Sequence, residues 1–114
     1  MMIVHLIFIL LIQYVHMINI IQVRVSIDSS NSWIVQNNNN NEGFIIDCGC
    51  YWEHGLVLGR TWKKHFSNNT LPSFILLTHT HPDNILGLVS LLHELNITQL
   101  PVYVSSSGAL NEMN

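Results

Sequence analysis

The sequence predicts a mixed α/β fold, one half of an αββα sandwich, with a mixed sheet and flanking helices. Three observations predict it. Strand-like patterns come in succession first, and then helix-period and strand-like stretches alternate along the rest of the 114 residues. A short apolar run at residues 74–78 gives way at once to a polar, histidine-containing stretch and then to helical spacing. Hydrophobic content of 48% against 10% charged residues supports a packed core and excludes a disordered chain.

The first 23 residues contain no Asp, Glu, Lys or Arg, and only His5 interrupts Met1 to Ile12. Two readings stay open there. One is a hydrophobic leader over residues 1–22, a signal peptide or membrane anchor, followed by the domain at 23–114. The other is a buried first strand. A basic flank and a small-residue cleavage site are both missing, and Gln13, His16, Asn19 and Gln22 make a poor bilayer span.

Val23, Val25 and Ile27 alternate with Arg24, Ser26 and Asp28, the pattern of a half-buried strand. Asp28 to Asn31 reads as a turn, and Ser32 to Gln36 as a second strand. The asparagine run at 37–41 reads as a disordered hairpin insertion. Phe44 to Gly49 is a third strand ending in an acidic turn at Asp47. Cys48 and Cys50, two apart, read as structural thiols that cannot readily bridge each other.

Glu53 to Phe66 follows as a helix, with Leu56, Val57, Gly59 and Trp62 toward the sheet and Arg60, Lys63 and Lys64 toward water. His54 and His65 read as surface or interface histidines. Phe74 to Thr78 is the central strand. Ile85, Leu88, Val89 and Leu92 then recur at helical spacing through about Leu95, with Gly87 suited to close packing. Val102 to Val104 is the last strand. Asn68-Asn69-Thr70 and Asn96-Ile97-Thr98 fit the N-glycosylation pattern, which matters only in a secreted chain.

Between the central strand and the second helix lie His79, His81 and Asp83 at spacings of two. Extended residues at i, i+2 and i+4 project to one side, so three metal-binding heads converge at a strand end. Neutral imidazole suits zinc and a carboxylate adds charge. Pro82 fits the first position of the following helix. Solvated loop histidines are the plain alternative. With four Lys and Arg and a net charge of -3, no nucleic-acid surface is indicated.

Thr78-His79-Thr80-His81-Pro82-Asp83-Asn84 resembles the His-x-His-x-Asp-His signature of the metallo-β-lactamase superfamily, which includes the glyoxalase II-like hydrolases. Asn31-Ser32-Trp33-Ile34-Val35 is similar to the family's early Asn-Ser/Thr-aromatic strand, and Ile46-Asp47-Cys48-Gly49 to its Ile-Asp-Thr-Gly turn. Amidohydrolases also carry His-x-His after a strand. Theirs lies near the chain start after an Asp, whereas Thr78 precedes this pair.

The resemblance implies a metal-dependent hydrolase using one or two zinc ions. His79 and His81 would hold the first ion, and Asp83 would serve as the catalytic carboxylate and a ligand of the second. Asn84 stands where the family has a second-site histidine and counts against that second ion, since its amide oxygen is neutral and hard. Asp47 would orient a metal-bound histidine from behind; capping a tight turn is its other reading. The family's remaining ligands, a His, an Asp and a His, lie further downstream and have no counterpart after His93. The expectation is therefore the amino-terminal part of a longer enzyme acting on an ester, thioester, amide or phosphodiester. A non-catalytic or membrane-anchored interaction domain is the alternative. Half a sandwich leaves an apolar sheet face needing a missing half or a partner chain.

Overall fold

A computed structural model describes residues 2–25, 31–67, 69–78 and 84–105. Helix α1 (Met2–Met17) leads directly into strand β1 (Ile18–Val23). There follow β2 (Ser32–Asn37), β3 (Glu42–Ile46), helix α2 (Trp52–His65), β4 (Ile75–Leu77), helix α3 (Asn84–Leu95) and β5 (Val102–Val104). The five strands form one sheet in the order β1-β2-β3-β4-β5. The first three are antiparallel, and β3, β4 and β5 run parallel. Parallel neighbours need a crossover, and α2 and α3 supply the two crossovers. This is a mixed α/β fold consistent with part of a metallo-β-lactamase fold.

Strands β2, β3 and β4 alternate between buried and half-buried positions, so each has one face for the core, whereas the three residues of edge strand β5 are all exposed. Ile21, Ile34, Ile45 and Ile75 stand opposite one another across four strands, and the last three are fully buried. Each such isoleucine stabilises the fold by about 1.5–3 kcal/mol. Leu58 and Trp62 of α2 and Leu91 and Leu95 of α3 join the same core. Trp62 stacks on Phe66 with ring centroids 3.6 Å apart, and its Nε1 donates to the Thr70 carbonyl at 2.8 Å.

The helices approach unusually closely because small residues line their contact. A Cβ on Gly55 would overlap Ser90 Oγ and the Gly87 carbonyl oxygen, and one on Gly59 would press into Glu94. On the outside, Arg60 and Lys63 both reach Glu94, at 3.6 and 3.4 Å. Such exposed pairs add little stability.

The opposite face of the sheet is apolar too. Trp33, Ile46, Leu76 and Tyr103 share a row across four strands, and Phe44 stacks on Phe74 at 4.6 Å. These residues range from half-buried to 59% exposed for Tyr103.

Four expectations change in detail. The first strand is Ile18–Val23 and stops before Arg24; isoleucines at 18, 20 and 21 fit a pleated surface better than the Arg24-Ser26 alternation. Residues 26–30, where the rest of the expected strand and most of its turn fall, lie outside the described residues. The residues just before it are helical, and no described helix is long and apolar enough to cross a membrane.

The asparagine run forms a defined hairpin turn. Asn39 N–H donates to Asn37 Oδ1 at 2.9 Å and Glu42 N–H to Asn40 Oδ1 at 3.0 Å. Asn41 adopts φ +57°, a conformation asparagine tolerates. The side chains replace backbone partners, which composition alone does not reveal.

The buried faces of α2 and α3 match the expectation in part: Gly59 and Trp62 are inward and Arg60, Lys63 and Lys64 outward as expected, while other positions differ. His54, Gly55, Leu58, Gly59 and Trp62 face inward on α2, while Leu56 and Val57 are half-buried. On α3 Gly87, Ser90, Leu91 and Leu95 are buried, and Val89 is 45% exposed. Glycine and serine carry the helix contact here, so the larger apolar residues at other phases did not mark it.

Candidate metal centre

Strand β4 ends at Leu77, and Thr78 is the last described residue before the candidate ligands. His79, His81 and Asp83 lie outside the described residues. Asn84 is the first residue of α3, and its side chain is likewise outside them. Among the described residues no cluster of three His, Cys, Asp or Glu side chains is placed to hold a metal ion. The geometry on either side of the ligands is nevertheless well defined.

Asp47 fixes the approach to them. Its N–H donates to the Leu76 carbonyl at 2.8 Å, extending the β3–β4 ladder one step past β3. Its carboxylate then accepts two bonds from Thr78, from the N–H on Oδ1 at 2.9 Å and from the hydroxyl on Oδ2 at 2.7 Å. Charge-assisted bonds of this kind are shorter and stronger than neutral ones. Asp47 takes φ +61° to aim both oxygens at the β4 exit, a conformation Asp adopts more readily than most residues. The residue immediately before His79 is thus held by both its backbone and its side chain. Both readings of Asp47 hold one element in common: it closes a turn, and that turn grips the strand end.

The turn is clamped from two further sides. Gly49 takes φ +78°, and a Cβ there would run into the His54 ring. A Cβ on Gly87 of α3 would overlap the carbonyl oxygens of Cys48 and Gly49. The close packing expected of Gly87 is therefore made against the turn after β3, one step beyond the strand itself.

His54 is a correction to the sequence reading. It is fully buried, with Nε2 2.8 Å from the Oγ of the fully buried Ser32. Three core residues, His54, Leu58 and Trp62, share one face at i, i+4 and i+8, a spacing in the sequence that could have placed it. The Ser32 hydroxyl satisfies the one ring nitrogen that needs it, which is why a polar ring can sit inside. Nδ1 is buried and has no hydrogen-bond partner among the described residues. A proton on Nε2 donated to Ser32 leaves Nδ1 as a bare lone pair, a smaller burial cost than an orphaned N–H. Burial pushes the His54 pKa below its ordinary value, keeping the ring neutral.

Cys48 and Cys50 are both free, the first buried and the second half-buried. Burial, and secondarily the neighbouring Asp47 charge, push the Cys48 thiol up to about 12. A thiol so protonated is neither a nucleophile nor a ready metal ligand. His65 lies at the end of α2, and His93 is exposed on α3 with its ring 5.9 Å from Trp52.

The donor set itself fits zinc: two imidazoles and a carboxylate at alternate positions, entered from a fixed strand end. Comparison with curated proteins and with solved structures gives no match. A family model, that of the metallo-beta-lactamase superfamily, matches residues 25–107. That span takes in the Asp47 turn, β4, the His-x-His-x-Asp stretch and both packed helices, and the chain belongs to the metallo-beta-lactamase superfamily.

Proposed function

We propose that this chain carries the zinc-binding motif of a metal-dependent hydrolase. His79 and His81 hold the ion, and Asp83 is the carboxylate that engages a second ion or orients the attacking water. The observation that carries this reading is the pair of hydrogen bonds that the Asp47 carboxylate accepts from Thr78, one residue before His79. A strand end fixed on its backbone and side chain is the kind of support that catalytic ligands need, since they depend on preorganisation. Zinc bound there supplies Lewis acidity that brings the pKa of water toward neutrality. The protein's own part is to position: Asp47 orients the strand exit, Gly49 lets the turn close on His54 of α2, and Gly87 lets α3 close on the turn. The compatible substrates are esters, thioesters, amides and phosphodiesters, all cleaved by attack of water at an electrophilic carbon or phosphorus.

A second reading, a non-catalytic domain that keeps the fold, is favoured by Asn84, whose amide replaces an imidazole in the signature. Zinc titration against a chromophoric chelator separates the two. In a longer form of the protein that carries further ligands downstream, the hydrolase reading expects about one tightly held zinc, with affinity falling at least a hundredfold in His79→Ala and His81→Ala. A longer form that holds no zinc, or variants that bind it equally well, would remove the proposal.

A further inference from the structure

Helix α1 is the most exposed apolar element of the molecule. From Met2 to Leu11 every side chain is exposed, from 48% for Ile9 to 87% for Met2, and nine of these ten residues are Met, Ile, Val, Leu or Phe. The tenth is His5, and no Asp, Glu, Lys or Arg occurs before Arg24. Successive residues of a helix are turned by about 100°, so apolar side chains at nearly every position surround the axis. They do not form a stripe.

That distribution selects the occupant. A groove on a partner protein covers one face of a helix and leaves the other in water. A coiled-coil copy of α1 covers a seam and leaves the flanks exposed. Only an apolar medium on all sides covers a helical segment that is apolar on nearly all sides, as residues 2–11 are. We infer that α1 embeds in the acyl region of a lipid membrane and tethers the domain to its surface.

Two details shape the mode of insertion. Sixteen residues at about 1.5 Å each give roughly 24 Å, short of a hydrocarbon core of about 30 Å. The sixteen described residues of α1 are by themselves too short to span that core. Lacking charge over residues 1–23, it has no electrostatic attraction to anionic headgroups, unlike a basic amphipathic helix. Its binding is a matter of apolar burial alone, independent of anionic lipid and of salt.

The test uses the full chain and vesicles of pure zwitterionic phosphatidylcholine. In flotation the wild-type chain is expected to rise with the vesicles equally at low and high salt. Leu6→Asp with Leu10→Asp is expected to reduce partitioning at least tenfold while leaving the far-UV circular dichroism of the α/β domain in place. In a Phe8→Trp variant, fluorescence from the added indole is expected to be quenched by lipids brominated along the acyl chain. Wild-type protein that stays with the soluble fraction would overturn the inference. So would a double variant that floats like wild type, because the apolar sheet face would then be the binding surface. An α1-dependent soluble oligomer that ignores vesicles would assign the helix to a second copy instead. None of these readouts depends on zinc or on hydrolysis.

Discussion

Both carboxylate oxygens of Asp47 are bound to Thr78, one to its N–H at 2.9 Å and one to its hydroxyl at 2.7 Å. Asp47 lies 31 residues earlier in the chain, on a turn held by both crossover helices. The pairing couples the antiparallel half of the sheet to the point where the candidate ligands begin. Its energetic weight is moderated because Thr78 is exposed and water competes for its donors.

Replacing this carboxylate separates charge from conformation. Asp47→Asn keeps an acceptor oxygen and tolerance of positive φ but loses the charge and one acceptor. Asp47→Ala loses both bonds and is also strained at φ +61°. Expected losses are about 1 kcal/mol for Asn and about 2–3 kcal/mol for Ala by urea unfolding. Zinc affinity is expected to fall about tenfold in Asp47→Asn, the usual size of effect for a group that supports ligands. Unchanged zinc affinity alongside lost stability would restrict Asp47 to closing its turn.

Much of this arrangement was legible in the sequence. The apolar runs at 32–36, 44–46 and 75–77, with one helix before the last run and one after it, follow from apolar clustering and period-3.6 patterning. The Asp47-Cys48-Gly49 turn stood out through its chemistry. What escaped was set by tertiary contact. Gly55 and Ser90 carry no hydrophobic signal, yet they lie where α2 and α3 meet, so only part of each buried face, Gly59 and Trp62 on α2 among it, shows in the pattern. His54 looked like a surface residue because its partner, Ser32, is 22 positions away on another element. The order of Asn37 to Asn41 depends on side chains standing in for main chain, which looks in composition like a tract without structure.

Burial of neutral His54 gives stability a defined pH dependence. Burial lowers the ring's folded pKa below the ordinary histidine value of about 6.5, so above that value both folded and unfolded chains carry it neutral and the fold keeps its full stability. Below about 6.5 the unfolded chain takes up a proton that the fold resists, and stability falls with acidification, by at most about 1.4 kcal/mol per pH unit from this residue. The decline levels off once pH drops through the lowered folded value. Urea unfolding between pH 8 and 5 should show this slope in the wild type. In His54→Gln, stability at pH 8 should be lower by about 1–3 kcal/mol, since Ser32 loses its buried partner, and the histidine-dependent part of the slope should vanish. An identical slope in the variant would place the acid sensitivity in other groups.

Gly87 offers the most selective perturbation of the clamp. Glycine to alanine within a helix ordinarily gains up to about 1 kcal/mol. Here the new methyl group would overlap the main-chain carbonyl oxygens of Cys48 and Gly49, which cannot rotate aside as a flexible side chain would. Overpacking of this kind costs about 1–3 kcal/mol and sometimes more, so the clash outweighs the propensity gain. Gly55→Ala meets Ser90 Oγ and the Gly87 carbonyl and should cost a similar amount, whereas Gly59→Ala presses mainly on the Glu94 side chain and should cost less. The two severe variants differ in what they displace. Gly55→Ala pushes α2 from α3, but Gly87→Ala pushes α3 from the turn that carries Asp47 and, through it, Thr78. At matched stability, zinc affinity should therefore fall further in Gly87→Ala than in Gly55→Ala. Equal affinities at equal stability would mean that the turn holds Thr78 without help from α3.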